Sequence, residues 1–465
     1  MGLGSSEAAV IGKYIQQSAS LVLYQSVLEN SLSRALLTLL RALLALGEDQ
    51  THETATTTLT ATTHCLTAYG QWITELANAQ QSWQQHLIRQ VLIADNAFSQ
   101  QAQTHSTQET TANATQTISP GILAAAQYDL GLLETLYQLT EQQLSQWVQQ
   151  ATGTGVPTLN FQEKESPIKL DKTASWDSSA EMFAAYYASH GVGIFGQFTA
   201  FRWQASYHTG ALTGSLARSL AGSPTGQLVG IRTPDPIALR QLAAYDHPKQ
   251  QLIQNTESLL RGYAAQNVLL YGSRGAGKSS LVKALLNEYA HQGLRLIEVP
   301  KANLHNLPQI VEPLSQVPQK FIIFVDDLSF EEDDEAFKAL KVVLEGGVTA
   351  RPQNVVVYAT SNRRHLIREF FDERPRPKDA EEIQAWDTVQ EKLSFSDRFG
   401  LTLTFAPADQ STYLTIVQEL AKQAGLTIEA ENLDWRARQW ATRHNGRSGR
   451  TARQFVDFLI AEQGK

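Results

Sequence analysis

The stretch YGSRGAGKSS, residues 271–280, sets glycines between an apolar run, NVLL, and a helical pattern, LVKALLNEY, and ends in a lysine and two serines. From Gly272 to Ser279 it fits G-x-x-x-x-G-K-[ST] in full, the spacing of a phosphate-binding loop. A triphosphate is held by several main-chain N–H groups aimed at one anion, an approach that side chains would block. Gly272, Gly275 and Gly277 permit the required dihedrals. Ser273, Arg274, Ala276 and Ser280 complete the loop and the helix start, whose free N–H groups and positive dipole end favour an anion. Lys278 brings a point charge to the β- and γ-phosphates, and Ser279 offers a hydroxyl to Mg²⁺.

Downstream, KFIIFVDDLSF (320–330) reads as a buried strand ending in two acids, where carboxylates face the crevice of an open α/β sheet. Asp326 is placed to hold Mg²⁺, directly or through water. Asp327 is placed to orient or deprotonate an attacking water. The acids that follow, EEDDE, read as a solvated helix start. A further strand, NVVVYAT, ends at SNRRH, so Asn362 can reach between the acids and the γ-phosphate. Arg398, in EKLSFSDRFGLTLTF, stands in front of another short strand, and Arg450 and Arg453 lie one turn apart at the start of RTARQFVDFL, open to phosphate or to solvent.

These groups need elements to carry them. With 465 residues the chain is long enough for two or three domains. Residues 1–150 are rich in Gln, Thr, Ala and Leu and read as an all-α helical bundle. Leu133, Leu136, Tyr137, Leu144, Trp147 and Val148 recur at helical spacing, and Leu36 to Leu46 is apolar nearly all round, as a central helix ending at Gly47 would be. A third helical stretch runs from about His52 to Ala97, and the low-complexity SQQAQTHSTQETTANATQTISPG reads as a mobile connection. Residues 151–184 read as a linker and 185–235 as a short β-rich lead-in, with strands in GIFGQFTAFRWQAS and GQLVGIRTP. An α/β core follows over 236–407, its first helices in PIALRQLAAY and PKQQLIQNTESLLRGYA, and a helical lid over 408–465.

Net charge is −8, which argues against wholesale coating of nucleic acid. The single cysteine, Cys65, excludes an intrachain disulfide and fits a reducing compartment, and His64 beside it makes no metal site. The N-terminus lacks a basic start followed by an apolar block, and LSRALLTLLRALLAL is interrupted by Arg34 and Arg41. No secretory signal and no membrane span are read, and a cytoplasmic protein is expected.

The order of phosphate loop, VDD, TSN, DRF and a C-terminal SGR segment resembles the AAA+ ATPases. Within them, NVLLYGSRGAGKSSLVKALLNEY, GLRLIEVPK, FVDDLSFEE, ALKVVLEGG, RPQNVVVYATSNRRHL, EKLSFSDRFGL and RSGRTARQF resemble the family catalogued as domain of unknown function 815, over about residues 185–460. The resemblance implies a parallel-sheet P-loop ATPase core with a small helical lid. It makes Gly272–Ser279 the Walker A loop and Asp326 with Asp327 the Walker B pair. Asn362 takes the sensor-1 position, Arg398 the arginine finger acting on a neighbouring subunit, and Arg450 sensor 2, with Arg453 the second choice. Walker B is Asp-Asp here, where many AAA+ proteins have Asp-Glu. The shorter second acid fits slow or switch-like hydrolysis.

The expected function is ATP hydrolysis that drives remodelling or assembly of a partner, by a homo-oligomer, ring or filament, with the N-terminal helices recruiting an unknown protein. VPKANLHNLPQIVEPL carries no aromatic residue, which disfavours a threading unfoldase. Two alternatives stand beside it: an initiator or helicase-loader-like ATPase that binds nucleic acid through the arginines of WRARQWATRHNGRSGRTAR, and a nucleotide-gated scaffold with little turnover.

Overall fold

A computed structural model describes residues 4–48, 55–106, 118–162, 168, 175–205, 226–329, 335–345, 352–362, 398–444 and 446–464. The described chain divides into two compact units, changing over between Gln197 and Phe198.

The first unit is helical: α1 (Ser5–Ala19), α2 (Ser31–Glu48), α3 (Ala55–Ala79), α4 (Trp83–Leu92), α5 (Ala97–Ser106), α6 (Pro120–Tyr137), α7 (Glu141–Thr152), α8 (Ala180–His190) and α9 (Gly193–Gln197). Leu36, Leu39, Leu40 and Leu43 of α2 enter a core shared with Trp72, Trp83, Leu133 and Leu144. On its other side α2 exposes Arg34, Thr38, Arg41 and Ala45, so it is amphipathic rather than apolar all round. The Leu133–Val148 periodicity belongs to two helices, broken at Thr140, whose hydroxyl caps α7 by accepting from the Gln143 N–H. The buried Asp129 carboxylate accepts the N–H groups of Val22, Leu23 and Tyr24, tying the turn after α1 to α6. Glu141 does the same for the N–H of Trp83 at the start of α4. Cys65 is buried, and burial pushes its thiol up to about 11.

Three expectations change here. Residues 175–184 are not linker and 185–197 are not β-rich: they form the turn before α8, then α8 and α9. Trp176, Ala180, Phe183 and Tyr187, a helical repeat hidden in an Ala- and Tyr-rich stretch, sink into the same core. Of the low-complexity connection, residues 99–106 are the end of α5 and 120–121 the start of α6, while 107–117 lie outside the described residues.

The second unit is built on a sheet of β1 (Ala200–Gln204), β2 (Gln227–Ile231), β3 (Val268–Gly272), β4 (Leu294–Glu298), β5 (Lys320–Val325), β6 (Val355–Ser361) and β7 (Leu401–Phe405), in the order β2-β1-β4-β5-β6-β3-β7. All neighbours are parallel except the β1–β2 pair. β5 and β6 are apolar without alternation because both faces are covered. The helices are α10 (Asp246–Leu260), α11 (Lys278–Tyr289), α12 (Leu307–Leu314) and α13 (Glu335–Glu345), then α14 (Gln410–Gln423), α15 (Ala430–Arg443) and α16 (Gly449–Glu462). The last three close a small core of their own around Tyr413, Val417, Leu433, Ala437, Phe455 and Leu459. This is the expected mostly parallel sheet with a P-loop after β3 and a helical lid. PIALRQLAAY does not form the expected helix. It contains only a 3₁₀ turn at Leu239–Gln241, then Ala244 and Tyr245 at φ of 68° and 58°, a left-handed pair that no helix accommodates. No helix among the described residues is long and apolar enough to cross a membrane.

Candidate nucleotide site

β3 delivers the chain to the mouth of the sheet, and Gly272 makes the exit possible. Its φ is 144°, and a Cβ there would stand 2.0 Å from the Phe405 carbonyl oxygen of β7. That same oxygen accepts the Ser273 N–H at 3.1 Å. Gly275 and Gly277 take φ of 76° and 87°, so the loop curls before α11 begins at Lys278.

Around this loop opens a cleft of about 710 Å³. Residues 274–280, Asp326, Asp327, Asn362, Arg450 and Arg453 line it, which brings together the lysine at the start of α11, the acids after β5, the amide after β6 and two arginines of the lid. Gly272 and Ser273 contribute from beneath, their carbonyls accepting the Lys278 ammonium at 2.9 and 2.8 Å. Lys278 is buried, and loss of hydration pulls its pKa below the ordinary lysine value, a shift the Asp326 and Asp327 charges oppose.

The hydrogen bonds order these groups. Ser279 Oγ donates to Asp326 Oδ1 at 2.6 Å. Asn362 accepts from Lys278 Nζ at 3.2 Å through Oδ1 and donates to Asp327 Oδ1 at 2.7 Å through Nδ2. Asp327 sits at φ 51°, a conformation that costs non-glycine residues energy and that aspartate tolerates better than most.

Arg398 stands apart. It lies three residues before β7 and is not among the residues lining the cleft. The EEDDE segment lies outside the described residues except for Glu335, at the start of α13. Among the described residues no group of three or more His, Cys, Asp or Glu side chains is arranged to hold a metal ion.

Sequence reasoning missed other participants. Ile237, Leu242, Tyr245, Ile416 and Leu420 add apolar lining to the cleft. Thr360 lines it too, its hydroxyl donating to the Asp326 carboxylate and accepting the Asp327 N–H. The ATSN run held Thr360 in view, two residues before Asn362. Gly449 touches the phosphate loop, and only the glycine of SGR hinted at it.

A family model described as "Protein of unknown function (DUF815)" matches residues 215–463. The chain belongs to the DUF815 family. The match takes in the sheet from β2 onward, the phosphate loop, both acids and the lid of this DUF815 member. A curated relative, the replication factor C large subunit of Methanococcus maripaludis, is 34% identical over 76 residues; the DUF815 chain spans 16% of that relative's length, using 16% of its own. Among solved structures, the Thermotoga maritima RuvB Holliday junction branch migration motor is similar at 15% identity and TM-score 0.29, over 48% of this chain and 72% of that one. AMPPCP-bound DnaA from Aquifex aeolicus is similar at 18% identity and TM-score 0.34, over 50% and 67%.

Proposed function

We propose that residues 198–465 bind ATP with Mg²⁺ in this cleft and hydrolyse it, and that the cycle drives remodelling or assembly of a partner. One observation carries the reading. A buried lysine, a hydroxyl–carboxylate pair, a second carboxylate and an amide converge on one phosphate loop, joined by hydrogen bonds.

Lys278 leaves the Gly272 and Ser273 carbonyls for the more strongly charged phosphate oxygens. The loop amides cradle the remaining phosphates, and Arg450, with Arg453 beside it, meets them from the lid. The base packs against apolar lining such as Leu242, Tyr245 and Leu420. Ser279 and Asp326 suit Mg²⁺, which takes hard oxygen donors and keeps several waters, so the hydroxyl and the carboxylate beside it make a fitting donor set. When bound, the ion supplies charge neutralisation between phosphate oxygens. Asp327, its carboxylate oriented by Asn362, positions the attacking water and takes its proton. Arg398, outside its own cleft, serves the nucleotide of a neighbouring copy in a homo-oligomer. The helical unit recruits the partner: its buried Asp129 and Glu141 are consumed by its own turns and helix ends, which leaves them no chemistry to do.

The test is ATP binding by Lys278→Ala. Removing one member of a buried, hydrogen-bonded charge pair lowers affinity by about a hundredfold. Affinity equal to that of the natural protein overturns the site.

A further inference from the structure

Where β5 ends, the chain peels away from the sheet, and hydrogen bonds from β6 fasten it. Thr360 supplies most of them. Its Oγ1 donates to Asp326 Oδ1 and accepts the Asp327 N–H at 2.9 Å, while its carbonyl accepts the Leu328 N–H at 2.7 Å. Ser361 Oγ adds a bond to the Leu328 carbonyl at 2.8 Å. A hydroxyl has one proton and two lone pairs. With the proton spent on Asp326 and a lone pair on the Asp327 amide, one oxygen sets the orientation of the first acid and the backbone of the second.

We infer that Thr360 is a positioning residue for the Walker B pair: its hydroxyl holds the Asp326 carboxylate in the orientation that serves the metal and clamps Asp327 in its left-handed turn. The inference rests on the proposed nucleotide reading. Thr360 is 2% exposed, so its hydroxyl is shielded from competing water. Asp326 Oδ1 accepts from both Ser279 and Thr360, which directs that oxygen at the two hydroxyls and leaves Oδ2 for the cation or its waters. The Asp327 backbone at φ 51° is the kind of strained residue that persists only where its surroundings over-determine it. The hydrogen bond that the Asp327 N–H donates to Thr360 Oγ1 and the one its carboxylate accepts from Asn362 do so from the same strand end.

A methyl in place of the hydroxyl keeps the shape and removes both bonds. Outer-sphere partners of metal ligands are worth about 10- to 100-fold in metal affinity or activity. In Thr360→Val we therefore expect ATP affinity without divalent metal to stay within about twofold of natural, while the Mn²⁺ concentration that half-saturates the ATP complex rises at least about tenfold. Turnover falls in step with KM little changed. Amide exchange over residues 326–328 of the ligand-free protein speeds up, a readout that needs neither metal nor nucleotide. Thr360→Ser restores the hydroxyl and should recover metal affinity and slow exchange.

Three results overturn the inference: Thr360→Val with natural Mn²⁺ half-saturation, unchanged exchange at 326–328, or Thr360→Ser as impaired as the valine variant, which makes the methyl the important group. A natural protein that binds no ATP overturns the nucleotide reading, and the exchange experiment then still decides whether Thr360 clamps the turn.

Discussion

The main-chain N–H of Arg450 donates to the carbonyl of Gly275 at 3.3 Å, joining the first turn of the last lid helix to the phosphate loop. The approach is closed to larger residues on both sides. A Cβ on Gly449 would stand 2.8 Å from the Gly275 oxygen, and one on Gly275 would stand 3.0 Å from Ser448 Oγ and 3.2 Å from Arg450 Cβ. Lid and loop therefore meet backbone to backbone, and a shift in one is felt by the other without an intervening side chain.

Gly449→Ala tests that contact through its sign. Alanine in place of a helical glycine ordinarily adds stability, by about 0.5–1 kcal/mol. Here the added methyl meets a backbone oxygen, and relieving such overpacking costs about 1–3 kcal/mol. The expected result is a lower melting temperature and ATP binding weakened at least about fivefold, the lower end of that cost, read by thermal unfolding and nucleotide titration. A stabilised variant with full affinity would show that the lid does not need to touch the loop.

Arg398→Ala should spare ATP binding and lower hydrolysis by about 10³-fold, as for an arginine supplied in trans. Turnover per subunit of the natural protein should rise with concentration as copies assemble. Steady-state rates over a dilution series check this; a rate per subunit that ignores dilution removes the trans role.

His86 makes the stability of the helical unit pH-dependent. Its Nε2 lies 2.9 Å from Asn30 Oδ1 and its Nδ1 lies 3.0 Å from Gln81 Nε2. These partners assign the proton to Nε2 and leave Nδ1 to accept. Burial, with the Arg89 charge adding to it, lowers its pKa from the ordinary 6.5 to about 4. The unfolded chain therefore takes up this proton first as pH falls. The histidine's contribution is complete above about 6.5 and is lost progressively down to about 4, a change of about 3 kcal/mol. Thermal unfolding from pH 7.5 to 4.5, compared with His86→Gln, isolates this contribution, since the glutamine has no proton to gain there. Parallel pH profiles for the two proteins would refute it.

The glycine loop and the strand ends around it were legible because their demands are local. Gly272, Gly275 and Gly277 announce a loop that side chains would block, and the unbroken FIIFV and VVVYA runs announce strands covered on both faces. The acids and the amide follow at those strand ends, so chain position alone puts Asp326, Asp327 and Asn362 at one mouth. PIALRQLAAY misled because its composition suits a helix while Ala244 and Tyr245 adopt left-handed backbone beside the cleft. Residues 175–184 misled because Ser and Asp before α8 imitate a linker, and 185–197 because GIFGQF imitates a short strand; only packing shows Trp176, Phe183 and Phe195 buried.

By itself, then, the sequence determined the elements, the phosphate loop and the residue types at the strand ends, because glycine dihedrals and apolar periodicity act over a few neighbouring residues. Only the tertiary structure decided that the Thr360 hydroxyl would bond to both Asp326 and Asp327, that Gly449 would bring the lid onto Gly275, and that Arg398 would not line the cleft. Each is a contact, or the lack of one, between segments far apart in the chain, and hydrogen-bond reach of about 3 Å is a property of space that no spacing along the chain encodes.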